Sequence, residues 1–130
     1  MEFDVKKTVS YWLEGAEYDF GVADAMFQTG KYPYALFIGH LALEKLLKAL
    51  VVKNTRSHAP ITHSLPFLAE KTRLLITEPI LIKLREFMEF HFEARYPRQE
   101  MIFYTKCTKD YTTEKLNEIK EVYKWLKEQL

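Results

Sequence analysis

One cysteine, Cys107, stands in a chain of 130 residues, so no internal disulfide can form and packing alone must hold the fold. Four glycines and five prolines are too few for the turn density of a sandwich or barrel. Neither sign of charge dominates: 19 Lys and Arg against 18 Asp and Glu leave a net charge of +1, and bulk electrostatics announce no nucleic-acid binder. The uncharged, largely apolar stretch Tyr32 to Leu43 ends at Glu44 and Lys45, too short to cross a hydrocarbon core. The opening segment MEFDVKKT has no apolar run of the secretory kind, which with the lone cysteine predicts a reducing cytoplasmic location without membrane attachment. Glycine-rich phosphate loops, a nucleophile elbow and zinc-ribbon cysteines are absent too, which removes motif support for most enzyme classes.

What is present is helix-forming. Apolar residues at 48% and charged residues at 28% are globular proportions, rich in Leu, Glu, Lys and Ala. The expectation is one domain over residues 1–130, all-α, an up-and-down bundle of four to five helices.

Val5, Val9, Trp12, Leu13, Ala16, Phe20, Ala23 and Phe27 recur at steps of three and four, predicting a first helix over Asp4 to Gln28 that stops at Gly30. From Tyr34 to Val52 almost no polar face remains, the pattern of a central helix. Asn54 to Ile61 reads as a loop, followed by a short helix opening near Thr62 or Ser64 with Pro66 in its first turn. Thr77-Glu78-Pro79 starts a helix running to Ala94 or Arg95, before Pro97. Tyr96 to Tyr111 reads as a long connection, and a last helix begins near Thr112 or Thr113.

Charged and titratable residues on these helices are the candidates for function. His40, Glu44, Lys45 and Lys48 interrupt the apolar central helix, and unpaired burial of charge is costly. Glu44 and Lys48 are spaced as an ion pair, and Asp19 lies within reach of Lys45 or Lys48, so Asp19, His40, Glu44, Lys45 and Lys48 form either a buried polar network or a dimer seam. Residues 1–30 are acidic and the stretch Lys45 to Thr77 basic. The two ends either attract each other within the fold or leave a patch for an anionic ligand.

Arg95, Tyr96 and Arg98 place two guanidinium groups beside an aromatic ring, suited to phosphate contact and base stacking. The alternative for Arg95 is a clamp on the last carbonyls of its helix. His91 sits four residues before Arg95 on the same side, a weak candidate for proton transfer, yet it also continues the Leu84 and Met88 core stripe. His58 and His63 have no nearby Cys or carboxylate in sequence to complete a metal shell, so no metal or cofactor is expected. The aromatic second half, including Phe87, Phe90, Phe92, Tyr96, Phe103, Tyr104 and Tyr111, serves either the core or a subunit interface, with Tyr104 and Tyr111 as exposed tyrosines open to modification.

The stretch WLEGAEYDFGVADAMFQTGKYPYALFIGHLALEKLLKALVVKN, with Thr62-His63-Ser64-Leu65 and Ala94-Arg95-Tyr96-Pro97 later, resembles the HEPN family, the higher eukaryote and prokaryote nucleotide-binding domains. The resemblance carries Trp12, Ala16 and Asp19, the Gly30-Lys31-Tyr32 turn, and the His40, Glu44, Lys45, Lys48 pattern. It implies a helical homodimer that binds nucleotide or RNA and partners a minimal nucleotidyltransferase in a toxin-antitoxin pair. Many members of the family are metal-independent ribonucleases using an Arg and a His separated by four to six residues. Here those positions hold Glu100, Met101 and Ile102 after Arg95, and Phe103, Tyr104 and Thr105 after Arg98. The lack of a His at those positions after Arg95 and Arg98 favours a binding module over a divergent ribonuclease, and a purely structural dimerisation subunit is the third reading.

Overall fold

The computed structural model describes residues 3–98 and 101–130. Among them the fold is all-α, as expected, in seven helical segments: α1 Val5–Gln28, α2 Tyr32–Thr55, α3 Leu65–Lys71, α4 Glu78–Glu86, α5 Met88–Arg95, α6 Ile102–Lys106 and α7 Lys109–Glu128.

Local chemistry sets most boundaries. The Asp4 carboxylate accepts the Lys7 N–H at 3.0 Å and opens α1, satisfying an amide that has no helical partner. Gly30, at φ 76°, takes the left-handed turn between α1 and α2. Pro33 does not delay α2 beyond Tyr32, because a proline in the first helical turn gives up an N–H that has no acceptor there. The Ser64 hydroxyl accepts from Phe67 N–H to start α3 at Leu65, with Pro66 behind it.

Four expectations are corrected. The helix after Thr77 is broken at Phe87, where Phe90 N–H turns to the Phe87 carbonyl at 3.0 Å in a tighter three-residue step. Phe87 and Phe90 are both buried there, ring centroids 5.7 Å apart, and Phe103 of α6 packs against Phe90 at 6.0 Å. The segment expected to be a long connection is therefore not structureless: Phe103 anchors α6 in the core, and the Tyr104 hydroxyl donates to the Ala94 carbonyl. The last helix begins earlier than Thr112, because Thr108 is the residue whose hydroxyl accepts from Tyr111 N–H. Thr112 is buried inside α7. Tyr104 and Tyr111 are consequently not exposed loop tyrosines. Tyr104 is held through its hydroxyl, and Tyr111 is half-buried within α7, its phenol pushed up to about 12 by burial.

Helix α2 is the centre. Leu36, Leu43, Leu46, Leu47 and Leu50 are fully buried, and α2 packs on α1, α3, α5 and α7. Removing one such leucine to Ala costs about 2–5 kcal/mol. The acidic face of α1 is only partly met by the basic middle. Asp19 pairs with Lys45 at 2.7 Å, but Asp24 and Glu17 pair with Lys120 and Lys127 of α7. No helix among the described residues is long and apolar enough to cross a membrane.

Close approach of α2 and α7 is permitted at Gly39, where an added Cβ would lie 3.0 Å from Ile119 Cδ1. Gly21, in mid-helix, has open space around it. Gly39→Val is expected to destabilise by about 1–3 kcal/mol through overpacking, and Gly21→Ala to stabilise by up to about 1 kcal/mol. Urea unfolding of both variants measures this; equal effects would contradict the packing described.

Candidate functional site

Helix geometry puts His40, Glu44 and Lys48 one turn apart on the same face of α2. Glu44 is the hub, with only 4% of its surface exposed. Its Oε2 accepts from Lys48 Nζ at 3.1 Å, its Oε1 lies 3.1 Å from His63 Nδ1, and His40 Nε2 stands 3.6 Å from the same oxygen. Burial by itself would raise the carboxyl, but the His40 imidazole, the Lys48 ammonium and the His63 imidazole outweigh it and hold the group at about 2. Glu44 is therefore ionised and can only accept, which fixes the His63 proton on Nδ1. Lys48 Nζ also lies 5.0 Å from the centre of the half-buried Trp12 ring of α1.

The second half of the site comes from α5. Arg95 Nη2 lies 2.9 Å from His91 Nε2. A guanidinium can only donate, so His91 accepts there and carries its proton on Nδ1, which is buried without a partner. Burial lowers the His91 imidazole from 6.5 to about 4, helped by His40, Arg95 and His63. The two halves meet ring to ring: His91 lies 4.7 Å from His63 and 4.9 Å from His40, centroid to centroid. Both nitrogens of His40, which is fully buried, also lack hydrogen-bond partners.

Arg95 itself lies between two aromatic faces, 4.8 Å from the centre of Phe37 and 5.2 Å from that of Tyr96. Its Nε reaches the His91 carbonyl at 3.5 Å, the limit of a hydrogen bond, so the helix clamp is marginal. No carboxylate pairs with Arg95 among the described residues, whereas Arg85 is matched by Glu78 and Arg98 by Glu93.

The sequence candidates thus separate. His40, Glu44 and Lys48 gather with His91 and Arg95. Asp19 and Lys45 form their own pair on the α1–α2 seam, with no hydrogen bond to Glu44. Tyr96 joins Arg95, while Arg98 turns to Glu93 at 3.3 Å. His63, set beside His58 in sequence, belongs here instead; His58 is exposed and packs on the Phe3 ring at 4.1 Å. Phe37 and Trp12 enter as surfaces for cations, which core periodicity alone does not reveal. Cys107 is buried and its thiol pushed up to about 12 by that burial, so it supplies no nucleophile. Among the described residues no group of three or more His, Cys, Asp or Glu is placed to hold a metal ion.

The family model described as the HEPN domain matches residues 9–129 of the chain. A solved structure titled as that of TT1696 from Thermus thermophilus is similar in fold, with a TM-score of 0.78 and 22% identity over 94% of this chain and 98% of that one. No curated protein matches significantly.

The neutral, buried His91 generates a pH prediction. Its folded-state value lies below the ordinary 6.5, so its contribution to stability is full above that pH and is lost as pH falls toward about 4. Urea unfolding of His91→Gln from pH 7 to pH 4 should show a shallower loss than wild type, by up to about 3 kcal/mol. Equal slopes would contradict the assignment.

Proposed function

We propose, since this chain belongs to the HEPN domain family, that it is a nucleotide- or RNA-binding subunit and that Arg95 is its phosphate contact. The observation that carries this reading is the state of Arg95: a guanidinium steadied by Phe37, Tyr96 and a neutral His91, with no carboxylate to cancel its charge among the described residues. Such a cation keeps its charge for an anion, and a planar fork matches a phosphate in two hydrogen bonds. Tyr96 is 71% exposed and offers a ring face to a base beside that phosphate. Arg98, paired with Glu93 at 3.3 Å, plays a lesser part at the rim.

In this reading the subunit is a homodimer and partners a minimal nucleotidyltransferase in a toxin-antitoxin pair; the family resemblance supports both. Exposed Phe92, Tyr96 and Ile102 around the α5–α6 corner are the kind of side chains a subunit seam covers. Light scattering behind a sizing column should give twice the 15.5 kDa chain mass; a monomer would count against the dimer.

Fluorescence anisotropy with a short labelled RNA and with ATP tests the binding. Arg95→Ala should weaken binding about tenfold or more and Tyr96→Ala by less, with helicity unchanged by circular dichroism. Unchanged affinity together with a lowered Tm would instead assign Arg95 to the helix clamp and favour the purely structural subunit.

A further inference from the structure

We propose that the outward face of the α3 segment, residues 61–75, docks on the surface of an anionic lipid bilayer, its apolar side chains entering the interface and its cations meeting the headgroups.

The segment sorts its side chains by side. Leu65, Leu68, Ala69 and Thr72 are buried, and Asn54 Nδ2 donates to the Thr72 carbonyl at 2.8 Å, tying the end of α3 to the last turn of α2. Outward stand Ile61, Phe67 and Leu75, exposed by 104%, 41% and 98%, with the exposed Lys71 and Arg73 among them. One exposed aliphatic needs no explanation. Three large apolar side chains on one short stretch, interleaved with cations, mark a surface that another phase covers.

The charge is what the bundle's own pairing leaves over. Lys45 is matched by Asp19 and Lys48 by Glu44, whereas Lys53, Arg56, Lys71 and Arg73 meet no carboxylate among the described residues. Lys53 lies in the last turn of α2 and Arg56 caps it. Lys71 and Arg73 line an open hollow beside Thr55 together with Pro60, which precedes Ile61, and with one acid, Glu70. The ends of α2 and α3 carry about half a negative charge each, so with Glu70 they offset roughly two of the four cations and leave about two uncancelled.

A polynucleotide is the poorer match. Lys71 Nζ lies 5.1 Å from the centre of the Phe67 ring, on a face that a stacked base would need, and Ile61 and Leu75 offer nothing to a phosphate backbone. A bilayer uses both kinds of side chain: apolar tips enter the boundary between headgroups and acyl chains, and Lys and Arg stems lie along it with their charges among anionic headgroups. Each cation strengthens such binding about fivefold, too little by itself for two net charges. The apolar tips supply the second signal that stable attachment requires. Contact of this kind needs no spanning helix, and it departs from the expectation of no membrane attachment. It also lies apart from the phosphate contact and does not rest on it: Arg95 packs on Phe37, about 27 Å along α2 from Thr55.

The test is cosedimentation of the full chain with vesicles of phosphatidylcholine alone and of equal parts phosphatidylcholine and phosphatidylserine. Wild type should sediment with the anionic vesicles, not with the neutral ones, and less as salt is raised. Ile61→Ser with Leu75→Ser should weaken binding about tenfold or more. Lys71→Gln with Arg73→Gln should weaken it about 25-fold. Helicity by circular dichroism should be unchanged in both, and Tyr18→Ser, which removes an equally exposed ring from α1, should bind as wild type does. No sedimentation of wild type, equal sedimentation with neutral vesicles, or an equal loss in Tyr18→Ser would overturn the proposal. Loss in the glutamine pair with full binding by the serine pair would also overturn it, making the patch a general polyanion site of the kind RNA phosphates fill.

Discussion

A buried carboxylate on an otherwise apolar helix is the constraint around which this site is organised. Helix α2 runs through the centre of the bundle and buries most of its residues, so an ionised Glu44 there must be compensated by other groups. Lys48 comes from one turn along the same helix and His63 from the segment leading into α3. Taking away one partner leaves the charge short of compensation, while taking away Glu44 leaves Lys48 buried. The polar contacts therefore pin the path of the chain between α2 and α3 as well as balancing charge.

The same arrangement separates the histidines by chemical state. His63 is exposed and tied to an anion; His91 is buried and tied to a cation. Two imidazoles whose rings lie 4.7 Å apart thus present opposite nitrogens to their partners, one donating to Glu44 and the other accepting from Arg95. Because His91 accepts without neutralising, no carboxylate among the described residues cancels the charge of Arg95 at the α5 corner, in contrast to the matched Arg85 and Arg98. Phe37 and Tyr96 then limit where that guanidinium can lie, which is the preorganisation an anion contact benefits from.

How much of this is legible in the sequence follows from the range of each signal. Asp4, Gly30 and Ser64 with Pro66 act within a few residues, so both ends of α1 and the start of α3 can be read directly, whereas α2 runs to Thr55, into the stretch read as a loop from Asn54. The break at Phe87 cannot, because it coincides with two phenylalanines entering a core completed by Phe103 of another segment. Thr108, Thr112 and Thr113 are equivalent as caps on paper; the anchoring of α6 by Phe103 places Thr108 at the start of α7. In the site, the four-residue spacings of Glu44 with Lys48 and of His91 with Arg95 are visible in sequence. The contact of His63 with Glu44 spans 19 residues and depends on how the loop folds back along α2, which no local pattern encodes. Proximity in sequence sets His63 beside His58, whereas the fold gives His63 a carboxylate and a ring neighbour.

Among the described residues the segment leading into α3 brings His63 to the cluster that also holds His91 and Arg95. The most direct measurement is a long-range proton–nitrogen correlation spectrum of the 15N-labelled protein at pH 7, which reports the protonation of each histidine nitrogen. The account predicts His91 neutral, with its proton on Nδ1 and a bare Nε2, and a proton on Nδ1 of His63. A His63 protonated on Nε2 alone, or a charged His91, would contradict it.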